Sequence, residues 1–424
     1  MIRKVFTVLH RWAGLVLALP LIIVALTGSL MAFHDEIDTW LNPDLFTVPQ
    51  RNAPLLSGVA LHEKAAALYP GVSFDSAPLD IRAGHTVAFG AARDPNNYME
   101  TAFEVFFDPY TGQRIAERPG WSGPSLARKN IMSYLLRVHF DLALPWSTGE
   151  LGATILGITA IVWTLDCFAG LYLTFPRLRR VSGSVVTGFR NWLSRWKPAW
   201  LIKFRASSFR VNFDIHRAFG LWTWLILFIF AWSSVGLNEN QIFTPVMHAL
   251  LPYAKPGPSL PQRAKPLDHP RLDWQAAYYR GHALLADQAR AHGFVVDKEL
   301  FLSYDAGAGA YTLSAKNTTE SEKTAQTWVT LDGDTGALLQ SAWPGSQPQK
   351  AGDVITNWLF WMHTTAVLGR PWQIAVSVIG LVITALAITG IYIFWRKRRV
   401  RIETAKMKHA SLTKAAIPIA KSAV

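Results

Sequence analysis

Four long apolar runs alternate with segments of mixed polarity along the chain. They cover Trp12–Phe33, Leu151–Phe175, Leu221–Leu237 and Trp372–Trp395. Each run is near the ~20 residues that an α-helix needs to cross the ~30 Å hydrocarbon core of a bilayer. The pattern therefore predicts an α-helical membrane protein with four transmembrane helices.

The segment after the first run and the segment after the third run repeat one order of elements. Helical character at Leu61–Tyr69 in the first, and at Trp274–His292 in the second, precedes three strand-like runs. These runs are Leu79–Ile81, Thr86–Phe89 and Phe103–Phe107 in the first segment, and Glu299–Ser303, Ala310–Leu313 and Thr327–Leu331 in the second. Each segment is predicted to form a small α+β module.

An Asp-x-x-Thr-Gly turn follows the last predicted strand of each module. The turns are Asp108–Gly112 and Asp332–Gly336, where Asp and Gly supply the turn chemistry. From the Asp of each turn to the next histidine, His139 or His363, is 31 residues in both cases. Equal spacing in otherwise diverged sequence indicates a duplication, so we expect two pseudo-symmetric halves.

The distribution of charge predicts the orientation in the membrane. The net charge is +13, and between residues 176 and 215 many arginines and lysines accompany a single acid, Asp214. The positive-inside rule places this segment, the N-terminus and the basic stretch Arg396–Arg399 in the cytoplasm and both modules on the far side of the membrane, which is the periplasm if the membrane is a bacterial inner membrane. Because bilayer orientation accounts for the charge, we expect a multi-pass membrane protein and no nucleic-acid partner.

Eight segments result from this interpretation. They are 1–34 (helix one with a cytoplasmic N-terminus), 35–148 (module one and an interfacial helix), 149–175 (helix two), 176–215 (a basic cytoplasmic loop), 216–237 (helix three), 238–370 (module two and an interfacial helix), 371–395 (helix four) and 396–424 (a basic cytoplasmic tail). The first apolar run is read as an uncleaved anchor, since it is too long for a signal-peptide core.

Two histidines lie at matched positions where helices one and three begin. Their strings are His10-Arg11-Trp12-Ala13-Gly14-Leu15 and His216-Arg217-Ala218-Phe219-Gly220-Leu221. A second matched pair, His139 and His363, precedes helices two and four on the predicted periplasmic side. Neutral imidazole is a usual ligand of haem iron, and two imidazoles hold it from both sides. The repeat predicts two haem groups, one bound by each pair.

Other interpretations of these residues stay open. A single histidine at a membrane boundary is more often an interfacial or hydrogen-bonded core residue, and only the repetition favours ligands. His34 lies 24 residues after His10, on the periplasmic side, and could replace or supplement a ligand there, although pseudo-symmetry favours His139 with His363. Asp166, the acid deep within a predicted span, suits a proton or quinol site, the cytoplasmic haem pocket, or a hydrogen bond to a neighbouring helix.

Several motifs are missing from the sequence. The single Cys167 excludes a disulfide, and the lack of Cys-x-x-Cys-His means that any haem is of the non-covalent b type. No Gly-x-Gly-x-x-Gly follows a strand, and no Walker loop or His-Glu-x-x-His occurs. Nicotinamide or flavin binding, ATP-driven transport and metalloprotease activity are therefore disfavoured, and electrons must come from another protein or from a quinol.

The segment His10–Pro43, with Thr27-Gly28 and Phe33-His34-Asp35-Glu36, resembles the PepSY-associated transmembrane family. So do the two Asp-x-x-Thr-Gly turns and the string Asn212–Arg217, and the resemblance extends to about residue 400. Within that family the chain is most similar to the inner-membrane ferric-siderophore reductases, the FoxB-like group. The resemblance implies b-type haem in the membrane, two periplasmic PepSY-like modules and electron delivery to iron held by a siderophore.

The sequence thus predicts an oxidoreductase with two bis-His haem b groups. Electrons would come from a quinol or a cytoplasmic flavin or nicotinamide reductase and reduce ferric siderophore in the periplasm. No catalytic residue is identified. The alternative is a non-redox permease or sensor whose modules bind a ligand, and the absorbance of reduced haem distinguishes the two.

Overall fold

The computed structural model of the chain describes residues 1–121, 125–177, 185–257 and 259–415. The helices in that part are α1 Ile2–Met31, α2 His34–Leu41, α3 Pro43–Phe46, α4 Gly58–Leu68, α5 Tyr98–Thr101, α6 Ile131–Asp141, α7 Leu151–Thr174, α8 Val185–Trp196, α9 Ser208–Trp222, α10 Trp224–Asn238, α11 Asn240–Leu250, α12 Trp274–His292, α13 Ala351–His363 and α14 Gly369–Ala415. The strands are β1 Ser76–Pro78, β2 Val87–Ala92, β3 Ala102–Phe107, β4 Arg114–Pro119, β5 Val296–Asp305, β6 Ala310–Asn317, β7 Thr327–Asp332 and β8 Leu338–Ala342. Parts of the predicted basic loop and tail, residues 178–184 and 416–424, lie outside the described residues.

Three described helices are long and apolar enough to cross a membrane, namely α1, α7 and the α14 segment Gly369–Met407. They correspond to the first, second and fourth predicted helices. The fourth was expected to end at residue 395, but α14 continues through the basic residues that follow. Neither Gly nor Pro occurs between residues 391 and 415, so the sequence contains no helix terminator there.

The third predicted helix, 216–237, is divided in two. α9 and α10 meet at a bend of 70°, and only together are they long and apolar enough for a fourth span. Thr223, between them, has φ −106° and ψ 5°, and its hydroxyl donates to the Phe219 carbonyl at 2.7 Å. A hydroxyl that bonds the preceding turn competes with the helical ladder and favours bending. The Trp224 indole donates to the Cys167 carbonyl at 2.9 Å and fixes the start of α10.

Contacts divide the chain into two compact units. The first contains Met1–Ser29, Thr154–Asn240 and Ala375–Val424, and the second contains Leu30–Ala153 and Gln241–Ile374. The first unit therefore consists mainly of apolar helices, and the second holds the strands.

Small residues bring α1 and α14 together within the first unit. The Ser29 hydroxyl donates to the Ser377 carbonyl at 3.0 Å, and the Ser377 hydroxyl donates to the Ser29 carbonyl at 2.8 Å. A Cβ built on Gly380 would lie only 2.5 Å from the Ala25 carbonyl oxygen. Close approach at small residues and reciprocal polar contacts are how helices associate where lipid removes the hydrophobic driving force.

Two antiparallel sheets make up much of the second unit. One has the order β2-β3-β4 and packs on α4, and the other has the order β1-β5-β6-β7-β8 and packs on α12. Their cores include Leu61 with Phe103 in one, and Leu285 with Leu313 in the other. α12 has the predicted bounds, and five of the six predicted strand-like runs fall on strands.

The predicted strand Leu79–Ile81 is wrong, because the strand there is β1, three residues earlier. Its residues pair with β5, and Ala77, which lies opposite Leu302, is fully buried like its partner. β1 thus belongs to the sheet of the second module rather than to that of the first. β4 and β8, at the sheet edges, were not predicted, since their sequences are polar or lack alternation.

The two Asp-x-x-Thr-Gly segments form the same turn, as predicted from their residues. In the first, Asp108 Oδ1 accepts the backbone N–H groups of Tyr110 and Thr111 at 2.8 and 3.2 Å. In the second, Asp332 Oδ1 accepts those of Asp334 and Thr335 at 3.0 and 2.8 Å. The glycine of each turn has positive φ, 69° and 67° respectively, a conformation that glycine adopts at no steric cost.

We expect Gly380→Leu to lower the unfolding temperature of the protein by several degrees. A side chain there must push α1 away from α14, and overpacking of this kind typically costs about 1–3 kcal/mol or more. Gly14→Leu, on α1, is the matched control, because a Cβ at Gly14 meets nothing within 4 Å. Thermal unfolding in detergent, followed by tryptophan fluorescence, measures both. Equal effects of the two substitutions would contradict close packing at Gly380.

Candidate functional site

Two of the predicted ligands, His10 and His216, have adjacent rings within the first unit. Their ring centres are 6.0 Å apart, and the ring planes are inclined at 56°. An imidazole nitrogen lies about 2 Å from a bound transition metal and about 1 Å from its ring centre, so two imidazoles on opposite sides of one metal have centres roughly 6 Å apart. The observed spacing would allow both rings to bind one metal.

Both rings have their Nδ1 atoms engaged in hydrogen bonds. His10 Nδ1 donates to both carboxylate oxygens of Asp166, at 2.9 and 3.0 Å. His216 Nδ1 donates to the Leu386 carbonyl at 3.0 Å, with the Thr389 hydroxyl oxygen at 3.1 Å. A histidine that ligates a metal through one nitrogen usually donates from the other in this way, which fixes its tautomer and orientation. Nε2 is then the nitrogen that each ring presents to a metal.

A glycine one turn further along the partner helix makes room for each ring. Asp166 and Gly170 are four residues apart on α7, and Leu386 and Gly390 are four residues apart on α14, so each pair shares a helix face. A Cβ on Gly170 would lie 3.5 Å from the His10 ring, and a Cβ on Gly390 would lie 3.3 Å from the His216 ring. Each histidine therefore rests on helix backbone where a larger side chain would displace it.

The ring pair fits the needs of haem, which takes fewer ligands from the protein than a bare metal ion does. Within the described residues, no group of three or more His, Cys, Asp or Glu side chains is suited to bind a metal ion. The arginines that follow the two histidines, Arg11 and Arg217, each have a buried Nε without a hydrogen-bond partner. Guanidinium groups pair well with carboxylates, which haem carries.

The second predicted pair, His139 and His363, lies in the second unit near the ends of α6 and α13. Burial, and then the positive charge of nearby His139, lowers the pKa of His363 to about 3. A group that strongly disfavours protonation stays neutral near pH 7, which is the form that binds metals. The two histidines are thus close enough to interact electrostatically, as a ligand pair requires.

Unusual backbone follows directly after both of these histidines. In the described part of the chain, four residues other than glycine have positive φ, and they are Leu142, Ala143, Thr365 and Leu368. Two follow His139 and two follow His363 within five residues. Left-handed conformations of such residues are rare and concentrate at functional sites.

His34, the alternative ligand, is the first residue of α2. Its Nδ1 donates to Asp35 at 3.0 Å, and this hydrogen bond is the main reason why the pKa of Asp35 is lowered. The bond leaves the role of His34 as a ligand untested.

Sequence reasoning missed the residues on which the His216 ring rests, Leu386, Thr389 and Gly390. One signal points to them, because Gly170-Leu171-Tyr172 on α7 recurs as Gly390-Ile391-Tyr392 on α14. Between residues 371 and 395, α14 contains no charged residue comparable to Asp166 of α7.

Residues 7–398 match the family described as the PepSY-associated TM region. The chain belongs to the PepSY-associated transmembrane family. Since the match covers nearly the whole chain, and three to four described helices can cross a membrane, it is an α-helical membrane protein. None of the curated proteins matches the chain.

Proposed function

We propose that this member of the PepSY-associated transmembrane family is a FoxB-like ferric-siderophore reductase of the bacterial inner membrane. It would bind two non-covalent haem b groups, one through His10 and His216 and one through His139 and His363. The observation that carries the proposal is the His10–His216 pair, with ring centres 6.0 Å apart and Nδ1 of each ring hydrogen-bonded. This is the arrangement expected of two ligands on one iron.

Haem held by His10 and His216 would supply a one-electron carrier at this place. The role of the protein is to fix the ligands. Asp166 holds His10 and the Leu386 carbonyl holds His216, while Gly170 and Gly390 keep the helix backbone close to the rings.

The second site is proposed to lie on the periplasmic side. Burial and nearby His139 both lower the pKa of His363, and two residues with positive φ follow each histidine within five residues. His34 remains the alternative ligand on this side. The two sheets of the second unit correspond, in this proposal, to two PepSY-like modules in two pseudo-symmetric halves.

The proposed reaction transfers one electron to each ferric ion. The oxygen donors of siderophores are hard ligands that hold Fe(III) far more strongly than Fe(II), so reduction releases the iron. A quinol would give up two electrons and two protons and thereby reduce two ferric ions, and a cytoplasmic flavin or nicotinamide reductase is the other candidate donor. Asp166 is also a candidate proton acceptor at a quinol site, since carboxyl groups are rare within membrane spans.

Purified protein should contain two b-type haems per chain. The double change His139→Ala with His363→Ala should remove one and leave the other, because each pair holds its own iron. Haem absorbance, referred to protein concentration, measures the ratio. His34→Ala should cost less haem than His139→Ala, and the opposite result would make His34 the ligand. A folded, colourless preparation would contradict the proposal and favour a non-redox permease or sensor.

The activity itself is tested by rapid-mixing absorbance at the reduced-haem band. In the variant without His10 and His216, dithionite should still reduce the protein and ferric siderophore reoxidise it, but the physiological donor should have no effect. In the variant without His139 and His363, the donor should reduce the protein while ferric siderophore reoxidises it slowly. If siderophore reoxidised this second variant as fast as the parent, the proposed order of the two sites would be wrong.

The proposed direction of electron flow requires cytoplasmic termini. A reporter fused after Arg401 should be active only in the cytoplasm, and one inserted at Gly307 only in the periplasm, because basic segments stay inside. If the basic segment 176–215 were labelled by a reagent confined to the periplasm, the donor and acceptor faces would be the reverse of those proposed.

A further inference from the structure

The two rings of the His10–His216 pair differ in the charge of their Nδ1 partners. His10 bonds the carboxylate of Asp166, whose side chain is 13% exposed. His216 bonds the neutral Leu386 carbonyl and Thr389 hydroxyl. The difference follows from one position, because residue 166 on α7 corresponds to residue 386 on α14 when the glycines four residues later are matched.

In the part of the chain that the structure describes, Asp166 hydrogen-bonds and ion-pairs only with His10. Gly170 lies on the same helix as Asp166, α7, and the His10 ring lies against it. A carboxyl group in an apolar span is costly unless it is paired or has a function. Within the described residues, both hydrogen bonds of the Asp166 carboxylate go to His10, a proposed iron ligand.

A carboxylate accepts hydrogen bonds but does not donate them, so the Asp166 contact places the proton on His10 Nδ1 and the lone pair on Nε2. Donation to an anion also makes the ring a stronger electron donor than donation to a carbonyl does. A more basic ligand and a nearby negative charge both favour Fe(III) over Fe(II), since the oxidised haem carries one more positive charge. Both effects lower the reduction potential.

We propose that Asp166 is a positioning residue that holds His10 in its Nε2-ligating form and, through its charge, lowers the reduction potential of the haem at the His10–His216 pair. This inference rests on the proposed function. It makes the two proposed histidine ligands electronically unequal. A low potential suits a carrier that must ultimately reduce iron held by hard oxygen donors, which resist reduction.

Asp166→Asn is the main test, because it keeps the size of the side chain and an acceptor oxygen but removes the charge. Spectroelectrochemical titration of the purified protein should show one haem whose midpoint potential rises, by at least about a tenfold change in the Fe(II)/Fe(III) ratio or ~59 mV, while the other haem is unchanged. Asp166→Glu should return the potential toward that of the parent.

A double variant, Asp166→Leu with Ala169→Thr, copies the arrangement around His216 onto α7. It should raise the potential as Asp166→Asn does, and it replaces that variant as the test if Asn at this position loses haem. Thr384→Val, also on α14, is the matched control, since the Thr384 hydroxyl donates to the Gly380 carbonyl of its own helix rather than to a histidine ring, and the potential should hardly move. The electron paramagnetic resonance spectrum of the ferric haem should change with Asp166 variants and not with Thr384→Val.

Two outcomes separate this inference from the proposed function. Haem bound in both neutral variants at the parent's potential would overturn the role of Asp166 and leave the proposed reductase standing. A parent protein without haem would overturn both.

Discussion

A polar ring on a membrane-spanning helix needs hydrogen-bond partners from the protein, because lipid supplies none. Much of the first unit follows from this constraint at His10 and His216. Each ring requires an acceptor for Nδ1, and each acceptor lies on the facing helix, α7 or α14. Unpaired polar groups cost several kcal/mol in such surroundings, so these contacts fix how α1 and α9 lie against their neighbours.

The His10 and His216 rings are held in the same way except for the chemical type of the Nδ1 acceptor. A glycine four residues after the acceptor position lets both rings approach the helix, yet the acceptor is a side-chain carboxylate in one case and a backbone carbonyl in the other. The fold needs only an acceptor at each place. A charge at one of them is more than hydrogen bonding demands, and in the proposed function it would tune the electronic properties of the bound haem.

The sequence predicted what depends on short-range patterns. The apolar runs located α1, α7 and α14, and the residues of α12 and both Asp-x-x-Thr-Gly turns were read correctly, because periodicity and turn chemistry are local. The histidine pair at residues 10 and 216 was found through repetition. The bend at Thr223 was not predicted, because it depends on the hydrogen bond of one hydroxyl. The Leu386 acceptor was not predicted either, because every residue has a backbone carbonyl and the sequence does not distinguish this one. The residues with left-handed backbone after His139 and His363 are Leu, Ala and Thr, whose residue types do not predict this conformation.

The pairing of β1 with β5 sets an order of events during biosynthesis. Ser76–Pro78 must bond Phe301–Ser303, which the ribosome makes about 220 residues later. At ~5–20 residues per second this interval is on the order of 10–40 s. Throughout it, β1 lacks the strand with which it pairs, and its backbone groups stay available to any other chain. Completion of the second unit therefore waits for synthesis of β5, and conditions that slow synthesis lengthen the time during which misassembly can occur.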